Sequence, residues 1–154
     1  MIRAGARRLG TVMAKWLFVC LFLFGGLLPA SGEEDVDFHR YMKGRRVYEK
    51  QCVWCHGRTG RGNGEWAEGV KDKPRNFRMG VFKFRSTRCG CLPTDADLAR
   101  TIRKGIPGTM MPTFKDMAEA DLQAVIYYVK SLSPRWKDPE RRAAAEPLPE
   151  PPKW

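Results

Sequence analysis

Two cysteines and a histidine in the first half of the chain have the spacing that attaches haem to a protein. They read Cys52-Val53-Trp54-Cys55-His56, a C-x-x-C-H motif. Cysteines three positions apart lie on one helical turn, so both thiols can form thioethers to the vinyl groups of one porphyrin. The next residue, His56, then offers an imidazole nitrogen to the iron. The motif predicts one covalently bound haem c, held by Cys52 and Cys55, with His56 as a metal ligand.

Other cysteine sites fit the sequence less well. A zinc site needs two or more further Cys or His ligands at suitable spacing, and the only other histidine is His39. A thioredoxin-like C-x-x-C belongs to a βαβ pattern, and the sequence shows none.

A methionine in a loop restrained by glycine and proline suits the second axial position of the iron. Residues 105–114 read G-I-P-G-T-M-M-P-T-F. A thioether is a soft, neutral ligand, and prolines limit the freedom of the loop before metal binds. Met111 is the predicted ligand because Pro112 directly follows it, and Met110 is the second choice. The alternative is that both methionines only fill the core.

With these two segments the chain resembles a mono-haem class I c-type cytochrome of the bacterial kind. Gly44 and Tyr48 precede the motif where, in that family, a glycine and an aromatic let the first helix cross the last one closely. The resemblance covers roughly residues 41–132, including the glycine-rich loop 57–64 and the last helix, 122–132, with Tyr128 in its aromatic place.

The resemblance implies an all-α fold, the small class I cytochrome c fold, in which short helices wrap around one covalently bound haem. In that family a proline carbonyl after the motif commonly accepts the second ring N–H of the ligand histidine, which fixes the ring. Here Glu65 follows Asn63 and Gly64 where that proline is expected. The acceptor for His56 is therefore left open.

Residues 1–32 have the pattern of a signal peptide. A basic start precedes an apolar run, residues 16–28, and Ala30-Ser31-Gly32 offers a small-x-small cleavage site. A membrane span needs about 20 apolar residues, so cleavage is favoured over the alternative, an uncleaved membrane anchor. Export to the periplasm suits haem attachment, which belongs outside the reducing cytoplasm.

The mature chain is basic. Removal of residues 1–32 takes four of the 28 basic residues and none of the 17 acidic ones, which leaves a formal charge of +7. Such a surface favours redox protein partners with acidic docking surfaces, or anionic lipid and hence membrane association. A generally solvated basic surface is the alternative. Nucleic acid is not an expected partner, because the chain has no recognition motif and is predicted to be exported.

Cys89 and Cys91 remain once Cys20 leaves with the signal peptide and the motif cysteines hold haem. Their C-G-C arrangement can close a short, reducible disulfide. They can also stay as two thiols or bridge to another chain. A structural disulfide is the preferred interpretation, and a redox-active pair is the alternative.

One domain, residues 33–133, is predicted, followed by a Pro-rich charged tail, 134–154, without fixed structure. The first helix is expected at about 36–53, and the loop-rich stretch 57–93 is expected to wrap the cofactor. Its aromatic segment, residues 77–84, is expected to be a loop that covers the haem.

Two further helices follow this stretch. Thr94 is the predicted N-cap of the first, Asp97 lies near its positive end, and Gly105 ends it. The last helix has one apolar stripe but a weak start, since Ala118 occupies the cap position.

These features predict a periplasmic one-electron carrier with His and Met axial ligands, and not an enzyme. One alternative is a membrane-held cytochrome c subunit of a respiratory oxidoreductase complex. Another is a haem enzyme or ligand sensor, which requires that Met111 can be displaced from the iron.

Overall fold

The computed structural model describes residues 31–138, with side chains from residue 35 onward. Four α-helices lie in this range and no strand does: α1 (Ser31–Gln51), α2 (Val53–His56), α3 (Asp95–Lys104) and α4 (Glu119–Ser131). Two 3₁₀ turns lie between α2 and α3, at Glu65–Ala67 and Phe77–Met79, and a third follows α4, at Pro134–Lys137. The all-α prediction is confirmed. No helix among these residues is long and apolar enough to cross a membrane.

The first and last helices cross with their backbones in contact. Gly44 on α1 is buried, and a Cβ built there would overlap the carbonyl group of Ala124 on α4 and come within 2.9 Å of Tyr128 Cβ. Glycine is thus required by the close approach, as the resemblance implies. Tyr48, one turn further along α1, is fully buried against the ring of Tyr128, with 5.1 Å between the ring centroids.

The core is a single cluster built mainly from α4. Leu122, Val125, Ile126 and Val129 repeat at helical spacing and are all buried. Tyr128 joins them, and Tyr48, Phe82 and Leu98 complete the buried cluster from the other segments. This stripe explains why α4 is stable although Ala118 makes no side-chain cap.

The haem motif interrupts the first helical region. The predicted helix 36–53 begins earlier, at Ser31, and ends at Gln51. Cys52, with φ −118°, then acts as the cap from which α2 restarts, and its carbonyl accepts from His56 N at 2.9 Å. The two cysteines therefore stay on one short turn, as their spacing requires.

A buried carboxylate fixes the start of α3. Thr94 is the N-cap, as predicted, and it forms a capping box with Asp97. Asp97 is fully buried and also accepts hydrogen bonds from the backbone and the hydroxyl of Ser86, both at 2.9 Å, and from Arg100. This one carboxylate joins α3 to the loop that precedes it.

The ordered chain continues past the predicted domain end at residue 133. Trp136, in the last 3₁₀ turn, packs edge-on against Phe82 with 5.4 Å between ring centroids. Arg135 donates to the carbonyls of Gly80 and Gly90 at 2.9 and 2.7 Å. Residues 139–154, and nearly all of the predicted signal peptide, lie outside the described residues, so those two interpretations stay predictions.

Gly44→Ala is expected to destabilise the protein by roughly 1–3 kcal/mol, the usual cost of overpacking. In an exposed helix a Gly-to-Ala change stabilises the protein by about 1 kcal/mol. Whether Gly44→Ala raises or lowers the stability therefore reports whether position 44 is in contact with Ala124. Urea unfolding of the haem-loaded protein measures it, with the exposed neighbour Arg46→Ala as control. An unchanged or raised stability would show that the helices do not cross this closely.

Asp97 should make the stability of the folded protein fall at acid pH. Burial alone would raise its pKa, but hydrogen bonds from Ser86, Arg100 and Thr94 outweigh burial and lower the pKa to about 2. Since the unfolded pKa is about 3.9, this stability is complete above about pH 5 and is lost as pH falls towards 2. The shift corresponds to about 2 to 3 kcal/mol.

Unfolding measured between pH 5 and 2 should therefore show a steeper loss for the native chain than for Asp97→Asn. Equal slopes for the two proteins would contradict this account of Asp97.

Candidate haem site

The predicted site residues line one cavity. Its volume is about 370 Å³, within the range of cofactor pockets. Cys52, Cys55 and His56 line it from the end of α1 and from α2, and Met110 and Met111 line it from the loop after α3. The structure thus brings together residues that are 55 positions apart in the chain.

The walls of this cavity are apolar. They come from α3, α4 and the loops on either side, and include Phe77, Phe82, Leu98, Ile102, Ile126 and Val129. The predicted loop 77–84 does contribute aromatics, whereas the glycine-rich residues 57–64 do not line the cavity. Those glycines instead fold back on α2: Gly62 N and Gly64 N donate to the carbonyls of His56 and Cys55, at 2.8 and 3.0 Å.

The imidazole of His56 is held in one orientation. Its Nδ1 lies 3.0 Å from the carbonyl oxygen of Arg75. A carbonyl only accepts, so Nδ1 carries the proton and Nε2 keeps the lone pair that a metal needs. Burial lowers the pKa of His56, which keeps the ring neutral. The ring of Phe77 stacks on the imidazole, with centroids 4.3 Å apart.

The acceptor that the sequence left open is therefore Arg75. The family pattern led to the loop near Glu65, but the carbonyl comes from a residue 19 positions after His56. Pro74 immediately precedes it and restricts the local backbone, so a proline is still adjacent to the acceptor. Pro74 was the sequence feature that could have indicated this acceptor. It was missed because it lies far along the chain from His56.

Tyr48 fixes the other side of the motif. Its hydroxyl donates to the carbonyl of Gly57 at 2.7 Å, directly after His56. Burial raises the pKa of Tyr48 above its ordinary value, so the hydroxyl stays protonated and remains a donor. Tyr48 thus packs on Tyr128 of α4 and also holds the backbone that follows His56.

The two motif cysteines are not joined by a disulfide, so both sulfurs can form thioethers to a haem. Burial, with a smaller contribution from Cys55, raises the pKa of Cys52 to about 12, and burial also raises the pKa of Cys55, so both thiols are protonated before a haem is attached.

The methionine loop holds Met111 more firmly than Met110. Met111 N donates to Thr109 Oγ1 at 3.2 Å, and its carbonyl accepts from Ile106 N, also at 3.2 Å. Gly105, with φ +64°, permits this fold, because a Cβ there would come within 2.6 Å of the Pro112 carbonyl oxygen. Met111 is half-buried, whereas Met110 is 48% exposed.

The charged residues of the cavity are mostly basic. Lys71, Lys73, Arg75 and Lys83 line it, against the single acid Asp72. Lys73 donates to the carbonyl of Ala67. A haem has two propionates, so an apolar cavity with several cations, two thiols and an oriented imidazole fits this group in chemistry.

Comparison with known families agrees with this geometry. Residues 39–129 match the family model described as cytochrome C oxidase, cbb3-type, subunit III. The chain belongs to this cytochrome family. It is thus a mono-haem c-type cytochrome, with a covalently bound haem and a role in electron transfer.

This cytochrome is also similar to a chain of the Kuenenia stuttgartiensis reducing HAO-like protein complex. The two are 37% identical with a TM-score of 0.62, over 71% of this chain and 47% of that chain. The cytochrome therefore spans about half the length of that relative. No curated protein matches it significantly.

Proposed function

We propose that this cytochrome is an exported, periplasmic one-electron carrier whose haem is attached at Cys52 and Cys55, with His56 and Met111 as axial ligands. The observation that carries the proposal is that these four side chains line one apolar cavity. The haem iron supplies one-electron chemistry between its ferrous and ferric states.

The chain's own residues position and shield this site. The carbonyl of Arg75 keeps the proton of His56 on Nδ1 and fixes the ring, which leaves Nε2 for the metal. The hydrogen bonds of Met111 restrain the loop that presents the thioether, a neutral ligand that favours the reduced state. The apolar wall excludes water and acts in the same direction.

Docking of redox partners is supported by charge. Lys83 is exposed and lines the cavity, next to Phe84, which is 52% exposed. Basic residues around an apolar edge suit an acidic protein surface, because long-range attraction speeds encounter.

A second candidate is a subunit of an oxidoreductase complex. The similar Kuenenia stuttgartiensis chain belongs to a protein complex, and the same domain can serve as carrier or as subunit. Membrane attachment through an uncleaved N-terminal segment belongs to this alternative. Intact mass of the mature chain, with analysis of co-purified proteins from native soluble and membrane fractions, separates the two.

Met111→Ala should remove the sixth ligand. The far-red charge-transfer band of the oxidised Met–iron bond should disappear, the midpoint potential should fall, and the native reduced protein should bind carbon monoxide. Met110→Ala is the matched control and should retain the band. If Met110→Ala loses the band and Met111→Ala keeps it, the assignment is wrong. Carbon monoxide binding by the unsubstituted protein would instead favour the enzyme or sensor alternative.

Electron transfer should depend on salt in a way set by the basic cavity rim. Oxidation of the reduced protein by hexacyanoferrate(III), an anionic probe, should slow as salt rises, because charges are screened beyond about 8 Å at physiological ionic strength. With the cationic oxidant tris(phenanthroline)cobalt(III) the rate should rise instead. Lys83→Glu should weaken both trends more than Arg46→Glu, an equal charge change away from the cavity. Rates independent of salt would contradict a basic docking edge.

A further inference from the structure

The Cys89-Gly90-Cys91 segment lies outside the haem cavity and belongs to no part of the electron-transfer site. Both cysteines are free thiols; Cys89 is exposed and Cys91 is half-buried. They sit at the tip of the loop between Phe82 and α3. An exposed sulfur beside a less exposed one is the arrangement of an attacking thiol and a resolving thiol.

The loop tip is a turn that contains both cysteines, with Gly90 between them. Cys91 N donates to the carbonyl of Arg88 at 3.1 Å, so Cys89 and Gly90 occupy the two central turn positions. Gly90 has φ +86°, the left-handed backbone that a type II turn needs at its third residue. Thr87 Oγ1 donates to the carbonyl of Leu92 at 2.8 Å and closes the base of the turn.

The turn is also fixed from outside. Arg135 Nη2 donates to the carbonyl of Gly90 at 2.7 Å, and Nη1 of the same guanidinium donates to the carbonyl of Gly80 at 2.9 Å. The loop tip is thereby held against the segment that covers the haem cavity, instead of projecting freely. A restrained turn lowers the conformational cost of joining the two sulfurs.

We propose that Cys89 and Cys91 are a reversible dithiol–disulfide couple that exchanges with an external disulfide. Residues two positions apart in sequence have Cα atoms at most about 7 Å apart, and a bend at the residue between them shortens that separation towards the roughly 4.4–6.8 Å of disulfides. A ring with one intervening residue gains little stability from loop closure, and Cys89 is accessible to external thiols. The bond is therefore open to reduction as well as formation, which favours the redox alternative of the sequence over a permanent structural disulfide.

The exchange balances in two steps. Cys89 loses its proton and its sulfur attacks the external disulfide, whose S–S bond breaks; one external thiol leaves with a proton, and a mixed disulfide remains. The sulfur of Cys91, also deprotonated, then attacks Cys89 and releases the second external thiol. Two electrons and two protons pass from the pair to the external disulfide, and the reverse reaction restores both thiols.

The test is thiol trapping of the mature, haem-loaded protein in buffers of reduced and oxidised glutathione. After alkylation, mass spectrometry of the peptide that contains both cysteines should show two alkyl groups in reducing buffer. In oxidising buffer it should show none, with a mass lower by two hydrogens, and the change should reverse. The proposal would be overturned if both thiols were alkylated at every ratio of reduced to oxidised glutathione, or if the bond resisted reduction in the folded protein. Stable glutathione adducts or disulfide-linked dimers in place of the internal bond would also overturn it.

Single variants test the two roles. Cys91→Ser should accumulate a glutathione adduct on Cys89, because nothing resolves it, whereas Cys89→Ser should accumulate much less on the half-buried Cys91. The opposite pattern would contradict the roles. An unchanged haem absorption spectrum shows that each variant is folded.

The Gly90→Ala variant tests the contribution of the turn separately from the two cysteines. A Cβ there meets no atom within 4 Å, so the change acts only through the positive φ. In the variant the reduced loop can relax away from the positive φ, whereas the bridged loop keeps it, so the equilibrium constant for ring closure should fall by up to about tenfold. An unchanged constant would show that this turn does not bring the thiols together.

Discussion

The close crossing of the first and last helices is the constraint on which the rest of the structure depends. Gly44 has no side chain, so α1 can lie directly against the Ala124 carbonyl. Further along α1 comes the haem motif, and further along α4 come Ile126 and Val129, which line the cavity. A larger residue at position 44 would separate these two walls. The absence of a side chain at Gly44 thus lets the helices that carry these two walls lie in contact.

The site itself is organised around one imidazole. His56 is fixed through Nδ1 by Arg75, through the following carbonyl by Tyr48, and across its ring face by Phe77. Tyr48 comes from α1, whereas Arg75 and Phe77 come from the loop stretch that follows α2, so the orientation of the ligand depends on how these two distant segments fold onto the motif. No side chain among the described residues fills the apolar cavity beside the imidazole. We therefore expect the protein to reach its stable fold only when haem occupies the cavity.

Local chemistry made much of this predictable. The features that were predicted depend on residues close in sequence. They are the Cys52–His56 spacing, the start of α3 at Thr94 and Asp97, its end at Gly105, and the apolar stripe of α4. What escaped prediction depends on distant contacts. Arg75 contributes a backbone carbonyl, which no side-chain pattern reveals, and Trp136 packs on Phe82 from a segment that composition alone suggested was unstructured. The roles of Cys52, Cys55, His56 and Met111 as haem-binding residues remain predictions that the shared cavity supports.

The proposed electron transfer depends on one haem that is attached in this cavity through Cys52 and Cys55. The most direct measurement is the intact mass of the chain after export in a host that matures c-type cytochromes, followed by denaturation and acid extraction. The expected mass is that of the mature chain plus one haem, and the Cys52→Ser, Cys55→Ser double variant should retain no haem. A native chain that releases its haem on extraction, or a double variant that keeps it, would show that these two cysteines do not hold the haem.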